Sequence, residues 1–315
     1  MQIPTKLPLL EALCWSIKYT YQLSPEDMLG IYERYWRFNE ILANPSQEEI
    51  AFIKELSNYY NSYPLMTENI EKSQHYDHIL EILQSLNYQL LEDCQVYLGG
   101  GALSNLELGR YRYSQDIDFI CSDIQGYRNL RVQIAKLGLQ SLFHNLDKIQ
   151  LTSSPLMDQY GIRFPVKLAP DIQIKLEIIT EARIKLESPI YPSWCNIPSL
   201  DMIDRFALKL LANADRYLDH RSYSRDLIDL SLYRNSAPIP PEAIKKADII
   251  YPVIEPLIEA ITNFQSQPDY RDNCYQQLQI DNPVVVIDGL DLLAQDFELN
   301  PTERTFKETD FSYLE

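Results

Sequence analysis

The stretch LGGGAL at residues 98–103, followed by SQDIDF at residues 114–119, decides the fold of this chain. The residues just before the glycines predict a short strand, and those just after them predict the start of a helix. Glycine has no Cβ, so the backbone N–H groups of such a turn can approach an anion, and the N-terminus of a helix adds a favourable dipole. The turn formed by Gly99, Gly100 and Gly101 is therefore a candidate for binding phosphate groups.

Two aspartates follow the glycine turn on a second predicted strand, residues 116–121. Because side chains alternate along a strand, Asp116 and Asp118 share one face while Ile117 and Phe119 take the other. Two carboxylates on one face repel each other unless a cation lies between them, and Mg²⁺ is held by such oxygens together with substrate phosphates. The pair predicts a site for two Mg²⁺ ions and a nucleoside triphosphate. The structural alternative is an ordinary turn followed by a solvated strand edge.

The composition indicates a folded protein outside the membrane. The chain has 315 residues, enough for two domains, and 45% of them are hydrophobic, which argues against a disordered chain. It contains no apolar run of about 18 residues, so we expect no membrane span and no membrane partner. Five cysteines are odd in number and scattered along the sequence, which favours reduced thiols and a cytoplasmic location.

The net charge of −17 is unevenly distributed along the chain. The balance of charged side chains is −8 over residues 1–98, +1 over residues 99–226 and −10 over residues 227–315. A broad footprint on a phosphate backbone is therefore not expected, although the middle segment leaves room for a local basic path. The acidic flanks suit a basic protein partner.

A third carboxylate is predicted on a later strand. Residues 171–178 alternate regularly between apolar and polar residues, which places Glu177 on the polar face. We expect Glu177 to join the aspartate pair as a metal ligand, with Asp171 as the second choice. The alternative is that Glu177 only forms an ion pair with Lys175 or Arg183 on a solvated face.

The remaining pattern predicts an α+β protein in three regions: an N-terminal helical region over residues 1–90, an α/β domain over 91–190 and a C-terminal helical domain over 191–315. Helix starts are indicated by Pro8, by Pro25 and by the capping residue Ser46. Within the α/β domain we expect a helix over residues 124–137 and strands over residues 147–152 and 160–168.

The C-terminal helical domain offers a cation and a carboxylate, Lys209 and Asp226, on successive predicted helices. They have two interpretations. In the first, they form an ordinary salt bridge between helices, which contributes little if it is exposed. In the second, Lys209 binds triphosphate oxygens and Asp226 orients Lys209 or the acceptor. The pattern alone does not separate these two interpretations.

Taken together, these motifs resemble the AbiEii/AbiGii-type nucleotidyltransferase toxins, which are the toxin halves of type IV toxin–antitoxin and phage-defence pairs. The resemblance covers about residues 95–234. It rests on the glycine turn, Arg112, Ser114, the aspartate pair, Lys209-Leu210-Leu211 and the run Arg225-Asp226-Leu227-x-Asp229-Leu230. It implies the mixed sheet with helices of the polymerase β-like nucleotidyltransferase superfamily, flanked by the two helical regions.

The resemblance also implies roles for individual residues. Gly99, Gly100, Gly101, Ser114, Lys209 and Arg225 would bind the nucleotide. Asp116, Asp118 and Glu177 would hold the metal, and these three would be catalytic together with Lys209 and Asp226. The implied reaction is transfer of NMP from an NTP to an acceptor hydroxyl, with the 3′ end of tRNA or another RNA as acceptor and a basic antitoxin as protein partner.

Two departures from the family keep other functions open. A hydroxyl residue is common where Gly101 stands, so one contact to the triphosphate would be missing, and the long acidic N-terminal region is unusual. One alternative function is nucleotidylation of a protein or small molecule, which the overall acidity would suit if the substrate is cationic. A second alternative is a catalytically degenerate nucleotide-binding module, which Gly101 favours.

Overall fold

The computed structural model describes most of the chain, namely residues 3–14, 23–35, 42–60, 70–151, 153–169 and 172–309. The chain divides into two compact units, one made of residues 1–67 with 261–315 and the other of residues 68–260. These units do not coincide with the three predicted regions, and that division stays a prediction. Within the described ranges, no helix is both long enough and apolar enough to cross a membrane.

A five-stranded mixed sheet forms the centre of the second unit. The strands are β1 (Val96–Gly99), β2 (Asp116–Cys121), β3 (Leu156–Met157), β4 (Gly161–Ala169) and β5 (Ile172–Thr180). Their order across the sheet is β1-β2-β5-β4-β3, and β2 runs parallel to β5 while the other pairs are antiparallel. The α+β fold with a mixed sheet, predicted from the sequence, is confirmed.

Eight helices of the described chain accompany or follow this sheet. They are α4 (Ile70–Ser85), α5 (Tyr88–Asp93), α6 (Gly100–Glu107), α7 (Ile124–Leu137), α8 (Met202–Arg216), α9 (Arg225–Ser236), α10 (Pro241–Asp248) and α11 (Ile254–Ser266). Helix α7 has the predicted bounds. The Asp123 carboxylate accepts a hydrogen bond from the Gly126 N–H at its start, and Gly138 ends it at a φ of 80°.

The two faces of the sheet differ as the alternation predicts. Ile117 and Phe119 of β2 are buried, as are Ile174 and Leu176 of β5. These side chains pack into one core with apolar residues of α4, α6 and α7. The polar side chains of the same strands are therefore left on the opposite face, where the candidate site lies.

The first unit contains α1 (Pro8–Leu13), α2 (Pro25–Tyr35), α3 (Gln47–Tyr59), α12 (Pro268–Gln277) and α13 (Pro283–Asp296). The predicted helix starts at Pro8, Pro25 and Ser46 are confirmed. Glu49 of α3 is fully buried, and its carboxylate accepts hydrogen bonds from the Leu9 and Leu10 N–H groups and from the Tyr32 hydroxyl. A buried carboxylate with several donors fixes the packing of these helices.

The predicted strand over residues 147–152 is wrong for its described part, 147–151. Only Gln150 pairs with the sheet, through a single bridge to Lys167. The reason is local, because Asp147 and Lys148 form a turn just before that bridge and the segment is not extended there. The predicted strand over residues 160–168 corresponds to β4.

Candidate active site

The glycine turn joins the end of β1 to the start of α6 and lies directly against Asp118. Gly100 has a φ of 63°, and a Cβ built on it would lie 2.3 Å from Oδ2 of Asp118. A Cβ on Gly99 would lie 2.7 Å from Cδ1 of Leu200. Only glycine fits at residue 100, because any larger residue would be strained and would push the aspartate away. The helix N-terminus and the aspartate pair are thus neighbours.

Gly101 makes room for two side chains of the loop before β2. A Cβ at this position would lie 2.4 Å from Oγ of Ser114 and 2.8 Å from Nη2 of Arg112. The structure therefore brings the three predicted glycines and Ser114 together. The Ser114 hydroxyl occupies the space into which a side chain at residue 101 would extend.

The three predicted metal carboxylates come from two adjacent parallel strands. Asp118 is the register partner of Glu177, and Asp116 is the register partner of Lys175. Burial, together with the nearby Asp116 and Glu177 carboxylates, raises the pKa of Asp118 to about 6. The structure places Glu177 beside the aspartate pair. Its role as a metal ligand stays a prediction.

Two cations contact the Glu177 carboxylate. Arg163 is its register partner on β4, and the Arg163 Nε lies 2.8 Å from Oε1 of Glu177. The Lys175 Nζ lies 3.0 Å from Oε2 of Glu177 and 3.5 Å from Oδ2 of Asp116. The ion pair with Lys175 considered in the sequence analysis is therefore present, whereas Arg183 pairs with Glu181 instead. The second-choice ligand, Asp171, lies outside the described residues.

A second charged group lies between α8, α9 and the loop before β2. Asp229 of α9 is fully buried, and its carboxylate accepts hydrogen bonds from Nε and Nη2 of Arg112 at 2.6 and 2.8 Å. The Tyr111 hydroxyl donates to the same carboxylate at 2.5 Å, and the Lys209 Nζ lies 2.5 Å from its Oδ2. A bidentate arginine with two further donors satisfies this buried charge.

Asp226, one turn before Asp229, is also buried and paired. The Lys209 Nζ lies 3.2 Å from its Oδ1, and Arg216 of α8 donates from Nε and Nη2 at 2.5 and 2.8 Å. Both interpretations of Lys209 and Asp226 begin from this contact. The salt bridge between helices is therefore present and buried, and the role of Lys209 and Asp226 toward a nucleotide stays a prediction.

The pKa values of the two helical aspartates follow this pairing. Burial alone would raise the pKa of Asp229, but the Arg112 and Lys209 charges outweigh it and hold the pKa below its ordinary value. Burial would also raise the pKa of Asp226, but the Lys209 and Arg216 charges outweigh this effect and lower it. Both carboxylates are charged, and their cations are held in fixed positions.

Helix α9 begins with a strained backbone. Tyr223 and Ser224 both have a φ of 50°, in the left-handed region that residues other than glycine rarely adopt. Each such residue costs on the order of 1–3 kcal/mol and persists only where the surroundings fix it. The next residue is Arg225, and partial burial of its guanidinium, together with the nearby Arg216 charge, lowers its pKa. The strain positions one further cation beside the paired aspartates.

Sequence comparison identifies the family of this chain. The sequence model of the family described as "Nucleotidyl transferase AbiEii toxin, Type IV TA system" matches residues 81–272, more than half of the chain. The chain belongs to the AbiEii family. It is therefore a nucleotidyltransferase, and the resemblance drawn from the motifs is confirmed. No curated protein sequence matches the chain.

Solved structures give weaker likenesses. The crystal structure of JHP933 from Helicobacter pylori is 19% identical, with a TM-score of 0.41, over 72% of this chain and 90% of that chain. An antigenic nucleotidyltransferase-like protein from Paracoccidioides brasiliensis is 15% identical, with a TM-score of 0.39, over 65% of this chain and 93% of that chain. Both TM-scores are below 0.5, and the assignment to the AbiEii family depends on the sequence match alone.

The AbiEii family implies a divalent metal, and the donor chemistry of the site fits one. Within the described ranges, no group of three or more His, Cys, Asp or Glu side chains is arranged so that it could hold a metal ion without rearrangement. Nevertheless, Asp116 and Asp118 share one strand face, and an ammonium group, that of Lys175, already contacts both Asp116 and Glu177. Hard carboxylate oxygens gathered around a cation are what Mg²⁺ prefers.

Several residues of this AbiEii-family site were given no site role in the sequence analysis, although Arg112 and Asp229 were quoted as motif residues and Lys175 as a partner of Glu177. Asp229, Arg112 and Arg216 complete the helical charged group, and Arg163 and Lys175 contact the third carboxylate. The spacing of Asp226 and Asp229, three residues apart on one helix, was a usable signal, since such residues share a face. The spacing of Lys209 and Arg216, two turns apart, was another.

Proposed function

We propose that this AbiEii-family protein transfers NMP from an NTP to an acceptor hydroxyl with release of pyrophosphate, and that Asp116, Asp118 and Glu177 bind the Mg²⁺. The observation that carries the proposal is that two charged groups adjoin the same glycine turn, with Asp118 beside Gly100 and Arg112 beside Gly101. A row of carboxylates lies on the sheet, a group rich in cations lies on the helices, and the Lys209 charge acts on Asp118 across them. Catalysis of phosphoryl transfer needs this combination, because positioning and charge stabilisation supply most of it.

The metal would be held mainly by Asp116 and Asp118, with Glu177 as the third ligand once it exchanges a cation partner. When bound, Mg²⁺ supplies stabilisation of the negative charge that develops on the transferred phosphoryl group, and we expect two ions. The carboxylates of the chain would position the ions against the substrate phosphates.

The triphosphate would be bound by the glycine turn and by the cations next to it. Backbone N–H groups at the start of α6 and the Ser114 hydroxyl supply neutral donors, while Lys209 and Arg225 supply charge. Because Asp226 and Asp229 hold Lys209 from one side, its ammonium is fixed in place before substrate arrives. A donor held ready in this way needs no reorganisation during the reaction.

The acceptor we propose is the 3′ end of tRNA, whose modification would stop translation. The support is the description of the AbiEii family as part of type IV toxin–antitoxin systems. We further propose a basic antitoxin as partner, which the acidic flanks of the sequence suit, a cytoplasmic location and a role in phage defence.

The test is incubation of the protein with each labelled NTP, total tRNA and Mg²⁺. We expect label on tRNA with the wild-type protein and none with Asp118→Asn. A matched control is Asp219→Asn, which removes an exposed aspartate whose partner is Arg221 and should transfer label as the wild type does. The proposal is overturned if the wild type labels no acceptor, or if Asp118→Asn transfers equally well.

Labelling assays run in parallel with RNA, protein and small-molecule pools test the identity of the acceptor independently of the reaction type. If a protein pool or cationic small molecules are labelled and tRNA is not, the nucleotidyltransferase chemistry stands and the RNA acceptor is wrong. If calorimetry finds NTP binding but no pool is labelled, the degenerate binding module is favoured. In that case Gly101→Ser is not a remedy, since a side chain there would displace Ser114.

A further inference from the structure

Lys175 lies in an unusual position for a surface lysine. It is on β5, two residues before Glu177 on the same strand face, and beside Asp116 in the parallel register. Its Nζ contacts one oxygen of each carboxylate, at 3.5 Å from Asp116 and 3.0 Å from Glu177. The ammonium thus lies between two of the three side chains that the proposed function assigns to metal.

Arg163, the other cation that contacts Glu177, has different partners. It binds Oε1 of Glu177 at 2.8 Å, and its guanidinium also lies 3.6 Å from Oδ2 of Asp158. Lys175 instead contacts Oε2 of Glu177 and is the cation that extends to Asp116. The Lys175 side chain is 47% exposed, so it can move into solvent by rotating its flexible stem. Arg163 is also paired with Asp158, which is not one of the three proposed metal ligands.

We propose that Lys175 is a built-in counter-ion, which occupies part of the metal position in the metal-free protein and must be displaced when a divalent cation binds. This inference rests on the proposed function, because it assigns a competitor to the same carboxylates. Without a cation, Asp116, Asp118 and Glu177 would repel each other, and Lys175 offsets that repulsion. The consequence is a weaker apparent affinity for metal.

The expected effect is moderate. An ion pair that is partly exposed contributes little, so its removal should tighten metal binding by about three- to fivefold. The probe is Mn²⁺ alone, in nucleotide-free protein, with the free ion measured by electron paramagnetic resonance. This readout does not depend on catalysis. We expect Lys175→Met to bind Mn²⁺ more tightly than the wild type by that factor.

Loss of any positive charge would also favour a cation, so a matched control is needed. Lys167 of β4 is also a lysine of the polar sheet face, and it is not one of the cations that contact the carboxylates. Lys167→Met should therefore change Mn²⁺ affinity less than twofold. Lys175→Arg, which retains the charge, should remain close to the wild type and shows that the strand tolerates substitution there.

The outcomes separate the inference from the proposed function. If Asp118→Asn loses Mn²⁺ binding but Lys175→Met binds no more tightly than Lys167→Met, the counter-ion role is wrong and the metal site stands. If neither the wild type nor Lys175→Met binds Mn²⁺, the metal site of the proposed function is wrong as well. A melting temperature measured for each variant confirms that the folded protein is compared.

Discussion

Two groups of carboxylates lie near each other in the second unit, and they are neutralised to different degrees. The sheet group consists of Asp116, Asp118 and Glu177, with Lys175 and Arg163 as contacting cations. The helical group contains two aspartates and three cations. A bidentate arginine contacts each aspartate, and a lysine lies between them. The members of this group are Asp226, Asp229, Arg112, Arg216 and Lys209.

The difference is visible in the direction of the pKa shifts. In the sheet group, burial and like charges raise the pKa of Asp118 to about 6. In the helical group, cations overcome burial and lower the pKa of Asp229 and Asp226. An under-neutralised group attracts a further cation, and an over-neutralised group attracts an anion. This contrast agrees with the proposed function, in which the sheet group binds metal and the helical group binds triphosphate through cations that its paired aspartates hold.

The largest expected effect on stability comes from breaking the helical group. Asp229→Asn leaves Arg112 without its buried carboxylate and Lys209 with Asp226 alone, and loss of one member of a buried ion pair costs about 3–5 kcal/mol. Urea unfolding measures this free energy directly. Asp219→Asn is the control, since its exposed pair with Arg221 should leave the unfolding free energy nearly unchanged. If both variants unfold at the same urea concentration, Asp229 is not the structural charge described here.

The next effect tests the contact between the glycine turn and the sheet group. Gly100→Ala adds a methyl group against Asp118 at a φ of 63°, and strain with overpacking together should cost about 2–4 kcal/mol. Gly109→Ala is matched in backbone, with a φ of 85°, but nothing lies within 4 Å of its added Cβ. Strain alone should then cost about 1–2 kcal/mol. Equal costs for the two variants would mean that Gly100 does not contact Asp118 closely.

The smallest expected effect is the pH dependence of the unfolding free energy, which has opposite signs for the aspartates of the two groups. The folded pKa of Asp118 lies above the unfolded value, so its charge destabilises the metal-free fold above about pH 6 and this cost disappears as the pH falls towards 4. Asp118→Asn should therefore stabilise the protein by about 1 kcal/mol at pH 8 and hardly at all at pH 4.

The folded pKa of Asp229 is lowered, so its contribution is complete above the unfolded value and declines as the pH falls below about 4. The penalty of Asp229→Asn should shrink in that range. Urea unfolding with a chelator present, repeated across pH, measures both trends. If Asp118→Asn and Asp229→Asn both stabilise or both destabilise the protein at high pH, the contrast between the two groups is contradicted.

Local features of this fold were predictable from the sequence. The glycine turn, the alternation of β2 and β5, the caps of α7 and the prolines that start α1 and α2 each depend on neighbouring residues in the chain. The position of Glu177 beside Asp118 could be predicted once β2 and β5 were placed in one sheet with both side chains on the same face.

Partners distant in sequence were not predictable. Arg112 and Asp229 are 117 residues apart, and nothing in either local pattern indicates the other. Arg163 contacts Glu177 only because β4 and β5 pair in one particular register. The predicted strand near Gln150 failed because strand formation depends on a pairing partner, and in the described part of that segment only Gln150 pairs with the sheet.

The most direct test of the central claim is Mn²⁺ binding to nucleotide-free protein, measured by electron paramagnetic resonance for the wild type, Asp118→Asn and Lys209→Met. Under the proposed function the sheet group binds the metal and the helical group does not, so Asp118→Asn should lose Mn²⁺ binding while Lys209→Met retains it or binds more tightly. Loss of binding in Lys209→Met, or unchanged binding in Asp118→Asn, would contradict the account.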